Sequence, residues 1–192
     1  MIYLMSSRLN TGKFKTNSID FGLWYKKLFV CKIIPRIVLD FNWRIFHGQV
    51  VTEKRLATMK LSDGTCSSCK LEVEDLTHIF VKCPSYIALW NYVSLLLKSI
   101  GIPKLEEFNM IVGFLRDDSL YDVVNTVLSM VRWIIWKRRC LIKYEKNVNE
   151  TTNILYEFRY TMKNHFDTIL QSRTISDNHS KNICMILKVL SA

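Results

Sequence analysis

Cys66-Ser67-Ser68-Cys69 is followed after eight residues by His78, and after four more by Cys83-Pro84. Zinc prefers four nitrogen and sulfur ligands in a tetrahedron, and a two-residue gap lets one tight turn offer two thiolates to one ion. The second pair needs a different geometry. Five positions along an ideal α-helix turn through about 500°, which leaves His78 and Cys83 roughly 140° apart. They can share an ion only if the helix ends between them. Pro84 supplies the break, because it drives the residue before it out of the α region. Asp75 is the expected N-cap of the short helix bearing His78, with Ile79 and Phe80 anchoring that helix in the core. The spacing therefore predicts one structural Zn²⁺ held by Cys66, Cys69, His78 and Cys83. Four protein ligands leave no open position for a catalytic water.

Two other uses of cysteine compete with this. Six cysteines allow fifteen disulfide pairings. However, Met1 to Ser7 has neither a basic n-region nor a long apolar run, so a secreted chain is not expected, and a nuclear or cytoplasmic one is. A redox Cys-x-x-Cys would open a helix in a βαβ setting, and no such setting is visible. Cys31, Cys140 and Cys184 lie in apolar helical stretches and read as buried thiols.

Outward from the cluster, the chain of 192 residues is 49% hydrophobic and 23% charged, enough to bury a core without a staple. Its 15-residue uncharged run, Cys83 to Leu97, is too short to span a bilayer, so no membrane partner is expected. Periodicity reads as helix nearly throughout. Candidates are Asp20 to Ile33, then a helix opened by Pro35 and stopped at Gly48, and a short one from Thr52 to Met59. Pro84 opens another to about Ser99, with Ile87, Trp90, Tyr92 and Leu95 available for packing. Leu105 to Leu115, Asp118 to Lys146, and Asn149 or Thr151 to Gln171 follow. A loop at 174–181 precedes an apolar stretch from Ile183 to Leu190. The expected fold is all-α: a helical domain organised around the zinc knuckle at 20–100, then a C-terminal helical extension at 101–192 packed on it.

The net charge is +10, with 11 basic and 3 acidic residues in 1–60, 5 and 8 in 61–118, and 11 and 6 in 119–192. Such a balance favours an acidic partner such as nucleic acid. On the longest helix, Arg132, Arg139, Lys143 and Lys146 fall at 0, 7, 11 and 14 and form one basic stripe, widened by Lys137 and Arg138. That stripe is the expected phosphate-tracking face, against the alternative of a merely solvated surface. Lys26, Lys27, Lys32, Arg36 and Arg44 make a second candidate surface. Trp43 and Trp90 read as core packing around the zinc site.

Phe41-Asn-Trp43-Arg44-Ile-Phe-His47-Gly48, Val51-Thr52, Cys66-Ser-Ser-Cys69, Glu74-Asp-Leu-Thr-His78-Ile79-Phe80, Cys83-Pro84 and Leu89-Trp90 form an ordered series. The series resembles the zinc-binding domain that lies C-terminal to the polymerase in reverse transcriptases of LINE-type (non-LTR) retrotransposons. The resemblance is strong over about 35–92 and weaker over 20–145, where Val131 to Arg139 is similar to a downstream helix containing Trp and Arg. Val50-Val51-Thr52 replaces the family's Leu-x-Thr, and Glu74-Asp75 loosens its Glu-Thr. The resemblance implies a non-catalytic module that helps a parent polymerase bind RNA or DNA, with that polymerase domain as a further partner. The polymerase's own carboxylates are not expected here. The sole Asp-Asp, Asp117-Asp118, reads as a helix junction with Asp118 as N-cap, not as part of a two-metal site. The alternative function is a structural or protein-interaction domain, with Ile154, Leu155, Phe158, Met162, Phe166 and Ile169 packing on a partner.

Overall fold

A computed structural model of the chain describes residues 33–114, 116, 118–145, 153–172 and 174–191. The candidate helix from Asp20, with Lys26, Lys27, Cys31 and Lys32, lies almost wholly outside these residues, as does Lys146. The elements are α1 (Arg36–Phe46), α2 (Glu53–Thr58), a π-helical turn (His78–Lys82), a 3-10 turn (Pro84–Tyr86), α3 (Ile87–Ser99), α4 (Glu107–Val112), α5 (Ser119–Tyr144), α6 (Ile154–Ser172) and α7 (Asp177–Ser191). Among the described residues there is no strand, only an isolated antiparallel bridge between Thr65 and Val73. The fold is all-α.

Local chemistry sets the boundaries. Pro35 precedes α1 with φ already near the helical value, and Gly48 ends it in a left-handed conformation (φ 60°). There the Gly48 N–H donates to the Ile45 carbonyl and the Gln49 N–H to Arg44, which satisfies two terminal carbonyls of the helix. Thr52 caps α2 by accepting from the Arg55 N–H at 3.4 Å. The Asp118 carboxylate accepts from the Leu120 and Tyr121 N–H groups at 2.9 and 3.0 Å, so it serves as the N-cap of α5. Two helices differ from the sequence reading. The helix expected over Leu105 to Leu115 is cut to Glu107–Val112: a capping box between Glu106 and Asn109 starts it, and Gly113 (φ 87°) ends it. The apolar stretch expected from Ile183 to Leu190 belongs to a helix that begins at Asp177, inside the expected loop, where the Ser176 hydroxyl accepts from the His179 N–H at 3.4 Å.

α5 is the central element, packed against α1, α6, α7 and the π turn. One hydrophobic core runs from Ile33 to Leu190, so both expected segments, 20–100 and 101–192, contribute to it. α3 buries Leu89, Trp90, Val93, Leu96 and Leu97, whereas Ile87 and Leu95 face outward. The helix is apolar nearly all round, and periodicity alone could not choose its face. On α6, Phe158, Met162 and Phe166 are fully buried within the chain, so the stripe expected to meet a partner is used internally. Cys184 is exposed and Cys140 half-buried, against the expectation of buried thiols.

Candidate metal centre

The Cys66–Cys69 turn is folded by its own backbone. The Cys66 N–H donates to the Glu72 carbonyl at 2.7 Å, the Lys70 N–H to Cys66 at 2.9 Å, and Lys70 takes the left-handed conformation (φ 60°) that closes the loop. Tyr86 is buried and holds the loop from outside through a 2.7 Å hydrogen bond with Ser68, and burial pushes its phenol above the usual range.

His78 and Cys83 are brought together by winding rather than by simple termination. The Cys83 N–H donates to the His78 carbonyl at 2.7 Å, an i to i+5 bond. A π turn has roughly 4.4 residues per turn, so five positions bring the side chains back to within about 50° of each other. Pro84 then ends the turn, with Cys83 in extended backbone. The His78 N–H is capped by the Asp75 carboxylate at 2.8 Å, as expected.

The four ligand atoms all lie within 4.8 Å of one another, with Cys66, His78 and Cys83 buried and Cys69 half-buried. A tetrahedral zinc with Zn–S near 2.3 Å requires sulfurs ~3.8 Å apart and sulfur to nitrogen ~3.5 Å. The Cys66 and Cys83 sulfurs are 3.9 Å apart, and Cys69 Sγ is 3.4 Å from His78 Nε2. The residues fit the metal. His78 Nδ1 lies 3.2 Å from a Glu72 carboxylate oxygen, which fixes the proton on Nδ1 and turns the Nε2 lone pair toward the sulfurs. The Cys66 thiol is pulled down to about 4, first by the contact with Cys83, with the Cys69 and Ser68 backbone adding to the effect against burial. The Cys83 thiol is driven up by the same contact. Sequence reasoning missed Glu72, whose only signal was a carboxylate six residues before the histidine.

Behind the knuckle lies a buried ionic cluster. Arg139 of α5 donates through Nη2 to Glu74 at 2.7 Å and to Glu53 at 2.6 Å. Glu74 also accepts from the Glu53 N–H at 3.0 Å and the Ser67 N–H at 3.2 Å, and Glu53 accepts from the Ser67 hydroxyl at 2.9 Å. Ser67 belongs to the Cys-x-x-Cys turn, so the metal loop is tied to the central helix. Lys143 adds a second cation on Glu53. Burial would raise the Glu53 carboxyl, but Lys143, the Ser62 and Ser67 hydroxyls and Arg139 outweigh it and hold the group at about 2. Burial would lower Arg139, but Glu74 and Glu53 raise it instead.

This cluster corrects the basic stripe. Arg132 and Arg139 are each 1% exposed, and Lys143 is largely engaged with Glu53. The periodicity that aligned them is real, but the face they share points into the molecule. Arg132 donates to Asn42 at 2.6 Å, to the Met110 carbonyl at 2.9 Å and to Ser129 at 3.0 Å, and burial lowers its guanidinium to about 9. Lys137 stays exposed beside Glu157 at 3.5 Å, and Arg138 is half-buried. Arg44, on α1, is exposed and paired with Asp40 at 2.9 Å. Trp90 is a core residue whose indole N–H donates to the Phe80 carbonyl at 2.8 Å, whereas Trp43 is half-buried and stacks on His47.

A putative ribonuclease H protein of Arabidopsis thaliana is 27% identical to the chain over 110 residues, which are 56% of this chain and 18% of that protein. The chain thus spans under a fifth of that relative. No solved structure matches. No helix among the described residues is long and apolar enough to cross a membrane. Residues 5–90 match the family model for zinc-binding in reverse transcriptase. The matched family and the Cys₃His cluster together support a structural zinc. The N-terminal part of the chain, residues 5–90, carries a reverse transcriptase zinc-binding domain.

Proposed function

We propose that the chain is a non-catalytic, zinc-stabilised module of a retroelement-derived reverse transcriptase of the LINE type, and that it binds RNA or DNA in support of reverse transcription. The observation that carries this reading is the convergence of Cys66, Cys69, His78 and Cys83 inside a segment that matches the reverse transcriptase zinc-binding family. The relative named as a ribonuclease H protein and the net charge of +10 point the same way. When bound, the zinc supplies a cross-link between the knuckle turn and the π turn. The chain's own residues do the rest: Glu72 orients His78, while Glu53, Glu74 and Arg139 fix the loop to α5. Asp118 spends its carboxylate on the α5 N-terminus, accepting from the Leu120 and Tyr121 N–H groups.

The test is binding of labelled single-stranded RNA and duplex DNA to the zinc-loaded chain, by fluorescence anisotropy across a salt series. The expected result is affinity that falls steeply with salt and varies little with sequence. No binding at low salt to a folded, zinc-loaded sample would reject the nucleic-acid role.

A further inference from the structure

We infer that the groove between α3, α6 and α7 is a binding site for single-stranded nucleic acid, taking bases on Tyr156 and Tyr160 and phosphate on Lys163. The inference rests on the nucleic-acid reading above and gives it a location outside the family-matched segment. The groove has a volume of about 720 Å³. Tyr156 and Tyr160 sit one helical turn apart on α6, with ring centroids 6.1 Å apart and planes within 15°. They are 67% and 59% exposed, although α6 already buries Phe158, Met162 and Phe166 on its other face. Packing among the described residues therefore does not account for two nearly parallel, exposed tyrosines. Arg159 also lines the groove and donates to the Leu190 carbonyl at 2.7 and 3.0 Å, which fixes the end of α7 as one wall.

The chemistry of the lining selects the occupant. Its charged side chains, Arg159 and Lys163, are both cationic. Aromatic faces beside a cation match a base and its phosphodiester, and stacking on exposed rings requires unpaired bases. A second copy of the chain would bring its own net charge of +10 toward these cations.

The experiment compares the zinc-loaded wild type with Tyr156→Ala/Tyr160→Ala, Tyr156→Phe/Tyr160→Phe and Lys163→Ala. The probes are labelled 12-nucleotide RNA, DNA of the same sequence, and the corresponding duplex. The double alanine variant is expected to lose single-strand affinity about tenfold or more with its salt slope unchanged, while the double phenylalanine variant keeps wild-type affinity. Lys163→Ala should reduce the salt slope by roughly 0.7. Comparing the RNA and DNA arms shows which strand is preferred. Wild-type binding that the double alanine variant retains would overturn the groove and leave the nucleic-acid reading standing. Absence of wild-type binding would overturn both. Should the alanine variant convert a dimer to a monomer by sedimentation, the groove is a self-interface and the inference fails. Unfolding of the alanine variant would leave the Lys163→Ala slope to decide, and an unchanged slope would reject the site.

Discussion

Arg139 shows what a single side chain contributes here. Two carboxylates, Glu53 and Glu74, are buried to within a few per cent, and Arg139 is the cation that both of them reach. A buried ion pair is a weak net stabiliser, but removing one partner leaves an uncompensated charge in a dry site. Arg139→Ala is accordingly expected to cost about 3–5 kcal/mol in urea unfolding of the zinc-loaded chain, and a cost below about 1 kcal/mol would show that the cluster is not needed. Glu53 gives a pH signature. Its carboxyl is held at about 2 against an ordinary 4.5, so the stabilisation is complete above pH 4.5 and is lost as the pH falls toward 2. The stability gap between the wild type and Glu53→Gln should narrow by about 3 kcal/mol across that window, measured as paired urea curves in which acid release of metal affects both chains alike. A gap that stays constant with pH would contradict the assignment. The sequence marked Arg139 as basic and correctly placed it on one face with Arg132. It could not say that the face was inward, because the partners lie 65 and 86 residues away on segments joined only by the fold.

Among the elements, the π turn and α4 carry the argument. The sequence showed that an unbroken α-helix would hold His78 and Cys83 apart and that Pro84 must interrupt it. Wider winding through an i to i+5 bond is the solution adopted, and no residue-level signal distinguishes that from a plain helix end. Gly113 ends α4 at φ 87°, and a Cβ there would lie 2.5 Å from the Asn125 carboxamide oxygen. That carboxamide is itself committed, accepting from the Phe114 N–H at 2.7 Å and donating to the Phe114 carbonyl at 2.9 Å. Gly113→Ala combines backbone strain with displacement of a buried hydrogen-bonded group, and about 2–3 kcal/mol of destabilisation is expected by thermal or urea unfolding. A neutral substitution would mean that the turn has another conformation. Caps were the legible part of this scale: Thr52, Asp75 and Asp118 all stand where their residue types foretold. The start of α7 was not, since Ser176 was one polar residue in a run that reads as loop.

For the whole molecule, the metal knuckle and the helical core are one construction. Ser67 reaches Glu53 and Glu74, these reach Arg139 on α5, and α5 packs on the C-terminal helices. The ligand cluster was fully legible because zinc demands residue types and spacings that few other roles share. The proposed nucleic-acid surface was not, because a charge count says how many cations exist and not which of them the core consumes. The most direct test is zinc content per chain of the purified protein, set beside a Cys66→Ser/Cys69→Ser variant, with helicity followed as a chelator is added. One zinc per chain is predicted, absent from the variant, with cooperative loss of helicity as the metal is withdrawn. A stably folded chain that holds no zinc, or a variant that keeps both metal and fold, would contradict the account.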